Sequence, residues 1–238
     1  MLTFKISENT TEKKIRLIWL HGWGLDHKSL VPIASYFGEF ENILVDFKGF
    51  GASKEPETEY GVPDYANDVL KLISSFNDDM DTFLIGHSFG GRVAIEIAAN
   101  HKDKVKGIIL VASAGLMKKR SFLFKIKAKV IRAISKIFPN KFNLGSADYQ
   151  KTKGVMRKTF VKVINHNQEE MAKQIDCKTL LIYGEDDTET PKEFGERFNK
   201  LIKNSRLFII KKQGHNSVLT SGRYQVQNII ETFFQSYN

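Results

Sequence analysis

Residues 82–91 read Thr82-Phe83-Leu84-Ile85-Gly86-His87-Ser88-Phe89-Gly90-Gly91, and the reading of this stretch decides the fold. A short apolar run, Phe83-Leu84-Ile85, meets Gly86-His87-Ser88-Phe89-Gly90, and a helix-forming run from Arg92 to Ala99 follows directly. This is G-x-S-x-G set between a strand and a helix, the context that gives the pattern chemical meaning. A serine on so sharp a turn has strained backbone dihedrals, and small residues two positions before and after it let strand and helix approach closely. The hydroxyl of Ser88 then stands clear of the sheet. The start of the following helix points backbone N–H groups at any negative charge that develops there. A Gly-rich turn without chemistry is the plain alternative, and partners for the serine elsewhere in the chain decide between the two.

Working outward, the chain reads as strands alternating with helices. Leu2 to Ile6 alternates weakly and suits a short first strand. Ile15 to Leu20 is a strong strand that runs into the Gly-rich turn His21-Gly22-Trp23-Gly24. A helix is expected over Lys28 to Phe37, a strand over Asn42 to Val45 ending at Asp46, and a loop over DFKGFGASKEP. Helical spacing recurs at Tyr65, Val69, Leu72 and Phe76, and Val105 to Ala112 is another buried strand. After a long gap come a strand (Thr179–Tyr183), a helix (Pro191 to Ile202), a strand (Arg206–Ile210) and a last helix (Arg223 to Phe234). Fully apolar strands alternating with helices imply a mostly parallel sheet covered on both faces, an α/β fold.

The 238 residues suffice for one sizeable core. Hydrophobic residues make up 42% and charged residues 26%, as in ordinary globular domains. The start, MLTFKISENTTEKK, lacks the basic-then-apolar pattern of a secretory signal, and no apolar run reaches the ~18 residues that span a bilayer. The single cysteine, Cys177, excludes an intrachain disulfide and any cysteine metal cluster. A cytoplasmic location is the expectation. The net charge of +9 is unevenly spread. From Lys118 to Lys162 there are fourteen Lys and Arg and one acidic residue, Asp148, a net of +13, which leaves the remainder at −4.

A serine hydroxyl needs a base beside it, and the base needs an orienting acid. In open α/β sheets such groups lie at the carboxyl ends of strands. Gly184-Glu185-Asp186-Asp187 follows the strand ending at Tyr183, and Gly214-His215-Asn216 follows the strand ending at Ile210. The chain order is therefore serine, acid, histidine, with Asp186 and Asp187 both in place as the acid.

With HGWG at 21–24, DFKGFGAS at 46–53, GHSFGG at 86–91, YGEDDTETP at 183–191 and QGH at 213–215, the chain resembles the α/β-hydrolase superfamily over nearly its whole length. The resemblance implies Ser88 as nucleophile, His215 as general base and then acid, and Asp187 as orienting carboxylate, because the family spacing Gly-x-x-Asp selects Asp187 over Asp186. It implies an oxyanion hole from the backbone N–H groups of Phe89 and Trp23, whose side chains also fall at substrate-binding positions. His21 and His87 then read as hydrogen-bonding spacers and Asp46 as a loop-fixing carboxylate, with His27, His101 and His166 at the surface. No metal and no organic cofactor is implied.

A serine in place of an aspartate nucleophile points to acyl transfer on an ester or thioester, most simply a carboxylesterase. Carbon–carbon bond hydrolysis or lyase chemistry on the same residues, and a non-catalytic binding protein that keeps the fold, are the alternatives. Residues 1–115 and 173–238 read as the hydrolase core, and 116–172 as a basic helical lid, which the resemblance places after the sixth strand. Ser121 to Phe138 is amphipathic, with Leu123, Ile126, Val130, Ile134 and Ile137 on one face and Lys125, Lys129, Arg132 and Lys136 on another. Three readings follow: a lid with solvated lysines, a docking surface for an acidic acyl carrier protein, or contact with an anionic membrane surface. HGWGLD also resembles the start of pimeloyl-acyl-carrier-protein methyl ester esterases, a small group within the superfamily. Nothing points to nucleic acid.

Overall fold

The computed structural model describes residues 2–7, 14–118 and 147–236. Among them seven strands form one sheet: β1 (Thr3–Ser7), β2 (Ile15–Leu20), β3 (Glu41–Asp46), β4 (Asp81–His87), β5 (Gly107–Val111), β6 (Lys178–Gly184) and β7 (Ser205–Ile210), in the order β1-β3-β2-β4-β5-β6-β7. β1 runs antiparallel to β3, and every other neighbouring pair is parallel. All residues of β2 and β5 are buried, and both strands are apolar apart from Gly107 and Arg16, whose guanidinium is paired with Glu41 and Asp78: a parallel strand covered on both faces has little room for polar residues.

The helices are α1 (Val31–Ala34), α2 (Val62–Ser75), α3 (Phe89–Asn100), α4 (Ala147–Lys151), α5 (Gly154–Ile164), α6 (Glu169–Ala172), α7 (Lys192–Leu201) and α8 (Arg223–Gln235). On one face of the sheet Val69, Val93, Ile97 and Phe198 of α2, α3 and α7 pack against Ile18, Leu84 and Leu110. On the other, Ile33 of α1 and Val226 and Ile230 of α8 pack against Leu17, Trp19, Phe83 and Ile85. The α/β-hydrolase architecture expected from the motifs is thus present.

Two elements differ from the sequence reading. The helix expected over Lys28 to Phe37 is divided into a 3₁₀ turn (His27–Ser29), α1, and a second 3₁₀ turn (Ser35–Phe37). Within this stretch Leu30, Ile33, Ala34 and Phe37 are buried. Serine hydroxyls divert the backbone, since Ser29 Oγ donates to Asp26 O at 2.6 Å and Ser35 Oγ to Pro32 O at 3.3 Å. Pro191, expected in the first turn of its helix, caps it instead with extended backbone (ψ 153°). The segment expected after the sixth strand of the family's numbering follows β5, the fifth strand among the described residues. In it the helix expected over Gly154 to Asn165 is α5, and the amphipathic helix expected over Ser121 to Phe138 lies outside the described residues.

What positions the site is the reversal of strand order. The chain leaves β2 for β3 on one side and returns at β4 on the other, so a crevice opens beyond the carboxyl ends of β2 and β4. α3 leaves β4 so tightly that a Cβ on Gly90 would stand 2.0 Å from the carbonyl oxygen of Leu20, and one on Gly86 2.6 Å from Gly90 C and O and from Gly91 Cα. His21 follows β2 directly, His87 ends β4, and both are buried. Burial drives the pKa of His21 down to about 4 and that of His87 to about 3, so both are neutral in the folded chain.

Two predictions follow from this packing. Gly90→Ala puts a methyl against fixed backbone and is expected to destabilise by about 1–3 kcal/mol or more, read as a Tm drop of several degrees; an unchanged Tm contradicts the contact. The unfolded chain binds protons on His21 and His87 near pH 6.5 and the folded chain does not, so stability is full above that pH. It falls as pH drops from 6.5 to 4.5, by about 1.4 kcal/mol per pH unit per histidine. Urea unfolding at pH 7 and pH 5 measures this, and His87→Gln should flatten the slope.

Candidate active site

Ser88 sits at the joint of β4 and α3 with φ 51°, in the left-handed region that costs a non-glycine residue about 1–3 kcal/mol. Its backbone is pinned on both sides: Ser88 N donates to Val111 O at 3.1 Å, and Ser88 O accepts from Gly91 N and Ala114 N, each at 3.1 Å. The side chain is thereby aimed at the loop after β7. His215 Nε2 lies 2.9 Å from Ser88 Oγ, and His215 Nδ1 lies 2.8 Å from Asp187 Oδ2. The three residues singled out from widely separated motifs form one continuous hydrogen-bonded line. Asp186 is not part of it.

Asp187 is buried, and the loop 187–190 supplies the partners that allow a charge there. Glu189 N and Thr190 N donate to Oδ1 at 2.8 and 2.9 Å, and the Thr190 hydroxyl lies 2.8 Å from Oδ2. Burial alone raises the pKa of this carboxyl. The hydrogen bond and charge of His215, with the N–H and hydroxyl of Thr190, outweigh it, and the pKa stands below the usual carboxylate range. His87 Nε2 contacts His215 O at 3.1 Å. That carbonyl only accepts, so the His87 proton is on Nε2.

Phe89 is the first residue of α3, where a helical N–H has no carbonyl one turn back to meet. Trp23 lies in the turn after β2, closed by Leu25 N donating to Gly22 O at 3.2 Å. Trp23, Leu25, Ser88, Lys151, Glu189 and His215 are among the residues that line a cavity of about 480 Å³. The Phe89 ring is 2% exposed and lies behind Trp23, in contact with Trp23, Phe47, Phe50 and Tyr65. The Trp23 ring also meets Phe160 of α5, with centroids 5.1 Å apart.

Asp46 accepts from His27 N at 2.7 Å and Ala52 N at 3.0 Å, so it fastens the loop after β3. His21, His27 and His166 all have partners: His21 Nδ1 on Gly22 O at 2.7 Å, His27 Nδ1 on Asp46 at 2.9 Å, and His166 Nε2 on Glu96 at 2.9 Å. His27 and His166 are therefore not simply surface residues as expected, because each is half-buried with its ring on a buried carboxylate; His101 is exposed. Thr190, Glu189 and Lys151 were not singled out by sequence, and nothing in their type or spacing marks them. Among the described residues no cluster of His, Cys, Asp or Glu could hold a metal ion, and no helix is long and apolar enough to cross a membrane.

Comparison with known proteins bears on the family and the fold. Residues 15–161 match the family model described as alpha/beta hydrolase fold, and residues 158–237 match one described as TAP-like protein. A 2-hydroxy-6-oxo-6-(2'-aminophenyl)hexa-2,4-dienoic acid hydrolase from Metapseudomonas resinovorans is 24% identical, over 84% of this chain and 77% of its own length. A pimeloyl-[acyl-carrier protein] methyl ester esterase from Aeromonas hydrophila is 30% identical over 53% of this chain and 48% of its own. The structure of an esterase from Exiguobacterium antarcticum superposes with a TM-score of 0.78 at 18% identity, covering 98% of this chain and 95% of that one. With the family model spanning more than half its residues, the chain belongs to the α/β-hydrolase superfamily.

Proposed function

We propose that this hydrolase-family chain cleaves carboxylic esters through an acyl-enzyme on Ser88. The observation that carries the reading is the line Ser88 Oγ, His215 Nε2, His215 Nδ1, Asp187 Oδ2, with links of 2.9 and 2.8 Å, on a serine held at φ 51°. His215 takes the hydroxyl proton on Nε2 as Ser88 attacks the ester carbonyl. The tetrahedral oxyanion is met by the N–H groups of Phe89 and Trp23, the first of them at the positive end of α3. Asp187 faces the Nδ1–H and balances the imidazolium charge. The same Nε2 proton then passes to the departing alkoxide, and water repeats the sequence on the acyl-enzyme. The first proton transfer, from Ser88 Oγ to His215 Nε2, runs over the observed 2.9 Å contact.

Two features support an acid-bearing or carrier-bound acyl substrate. The segment from Lys118 to Lys162 carries a net +13, and Lys151 within it borders the cavity that holds Ser88. An acidic acyl carrier is steered by such a field, whereas a small neutral ester is not. The dienoic acid hydrolase relative supports a second reading, carbon–carbon cleavage beside a ketone on the same three residues.

A panel of acyl esters of graded chain length, free and carrier-bound, with a vinylogous diketone alongside, separates these readings. The expected result is ester turnover without diketone cleavage, a fall on the order of 10⁶-fold in Ser88→Ala, and fluorophosphonate labelling that the variant abolishes. Wild-type ester turnover in Ser88→Ala overturns the proposal. Turnover of the carrier-bound ester is expected to drop steeply between low and 0.5 M salt while that of the free neutral ester stays level; equal insensitivity of both removes the steering role of the basic segment.

A further inference from the structure

The hydroxyl of Thr190 is surrounded by more partners than one proton can serve. Thr190 Oγ1 lies 2.9 Å from Ala112 O, 2.8 Å from Asp187 Oδ2 and 3.1 Å from His215 Nδ1, and the residue is buried. Ala112 O accepts only, and so does the ionised Asp187. His215 must present a bare Nε2 to the Ser88 hydroxyl, so its proton is on Nδ1. That Nδ1–H reaches Asp187 Oδ2 and, slightly farther off, the lone pairs of Thr190.

We propose that Thr190 is a positioning residue for the Asp187–His215 pair, whose hydroxyl becomes a second acceptor for His215 Nδ1–H when the ring is charged. While the ring is neutral, the Thr190 O–H donates to Asp187 Oδ2. When the ring takes the Ser88 proton, its Nδ1–H needs the strongest acceptor it can find. The Thr190 O–H then turns to Ala112 O. That releases one lone pair of Asp187 and aims a lone pair of its own at the ring. The turn is a rotation about one C–O bond in which no heavy atom moves and no covalent bond changes.

Ala112 provides the anchor. It sits at the end of β5 with φ 45°, left-handed for an alanine, and its N–H donates to Ile182 O at 2.8 Å. β5 and β6 therefore fix its carbonyl, the alternative acceptor for the hydroxyl. Other groups face the ring as well. Asp187 is on Nδ1, Glu189 Oε2 lies 3.6 Å from Nε2, His87 is neutral with its ring 5.0 Å away, and Lys151 stands on the cavity wall. At Nδ1 the ring meets the Asp187 carboxylate, which only accepts, and the Thr190 hydroxyl, which both donates and accepts.

The inference rests on the ester-hydrolase reading for its catalytic meaning, but its physical content is tested without turnover. The titration of the His215 ring is followed by NMR in the wild-type chain and in Thr190→Ala, Thr190→Val and Thr190→Ser. Loss of the hydroxyl in Thr190→Ala and Thr190→Val is expected to make the charged ring about tenfold less favoured, a shift of about one pH unit to lower pH. Thr190→Ser should titrate as the wild type does. In ester hydrolysis the same two deletions are expected to lower kcat about tenfold with KM within about twofold, and to move the acid limb of the profile the same way. An unchanged ring titration in Thr190→Ala overturns the proposal, as does a Thr190→Ser as impaired as the two deletions. Two deletions of different bulk keep the test open if one misfolds. If the variants shift as expected while the wild-type chain neither turns over esters nor reacts with a fluorophosphonate, Thr190 keeps its place and the ester reading falls instead.

Discussion

The contact on which the rest depends is the close approach of α3 to the ends of β2 and β4. Gly90 stands where any side chain would collide with the Leu20 carbonyl, and Gly86 where one would collide with the first turn of the helix. Because these two positions are bare, the turn between strand and helix is compressed into Ser88, and that residue takes the left-handed backbone. Strain of this kind persists only when the surroundings over-determine it. Here the bonds of Ser88 to Val111, Gly91 and Ala114 do so. The same approach puts the start of α3 beside the turn after β2. Ser88 and Trp23 both line the crevice that the strand-order reversal opens. The place of the hydroxyl thus follows from one steric constraint acting within that topology.

A second constraint is electrical. A carboxylate as buried as Asp187 is costly unless its lone pairs are filled. The loop 187–190 fills them from its own backbone and from Thr190, and His215 completes the set. The consequence reaches beyond stability. An acid held ionised in a dry setting can balance a charged imidazole without taking its proton. His87 contributes from below: neutral by burial, it fixes the backbone of His215 and adds no competing charge.

Much of this was legible in the sequence, for a definable reason. The motifs mark places where the backbone needs glycine or where a polar residue must end an apolar strand, and both constraints act over a few neighbouring residues. Ser88, His215 and Asp187 are of that kind, as is Asp46 in its loop. What could not be read depends on contacts between distant segments. The break of the 28–37 helix turns on which carbonyl a serine hydroxyl chooses. The burial of His166 depends on Glu96, seventy residues earlier, and that of His27 on Asp46 across the sheet end. Thr190 stands in a polar run, TETP, where its identity has no local signature, and its place beside Ala112 exists only once β5 and β6 are paired. Likewise nothing in Phe89 foretold that its ring would back Trp23 rather than face the cavity.

Trp23 shows how the chemistry and the choice of substrate are joined. Its backbone belongs to the turn after β2, beside Ser88, while its ring packs edge-on against Phe50 and Phe89 and meets Phe160 of α5. α5 lies in the basic segment, and it is further held to the core where Tyr60 N donates to Thr159 Oγ1 at 3.0 Å. Close-packed rings transmit a displacement of one to the next. The position of α5 therefore bears on the turn from which an oxyanion donor is proposed to come. The basic segment and the turn beside Ser88 thus meet at the Trp23 ring, which packs on Phe160 of α5 on one side and on Phe50 and Phe89 of the core on the other.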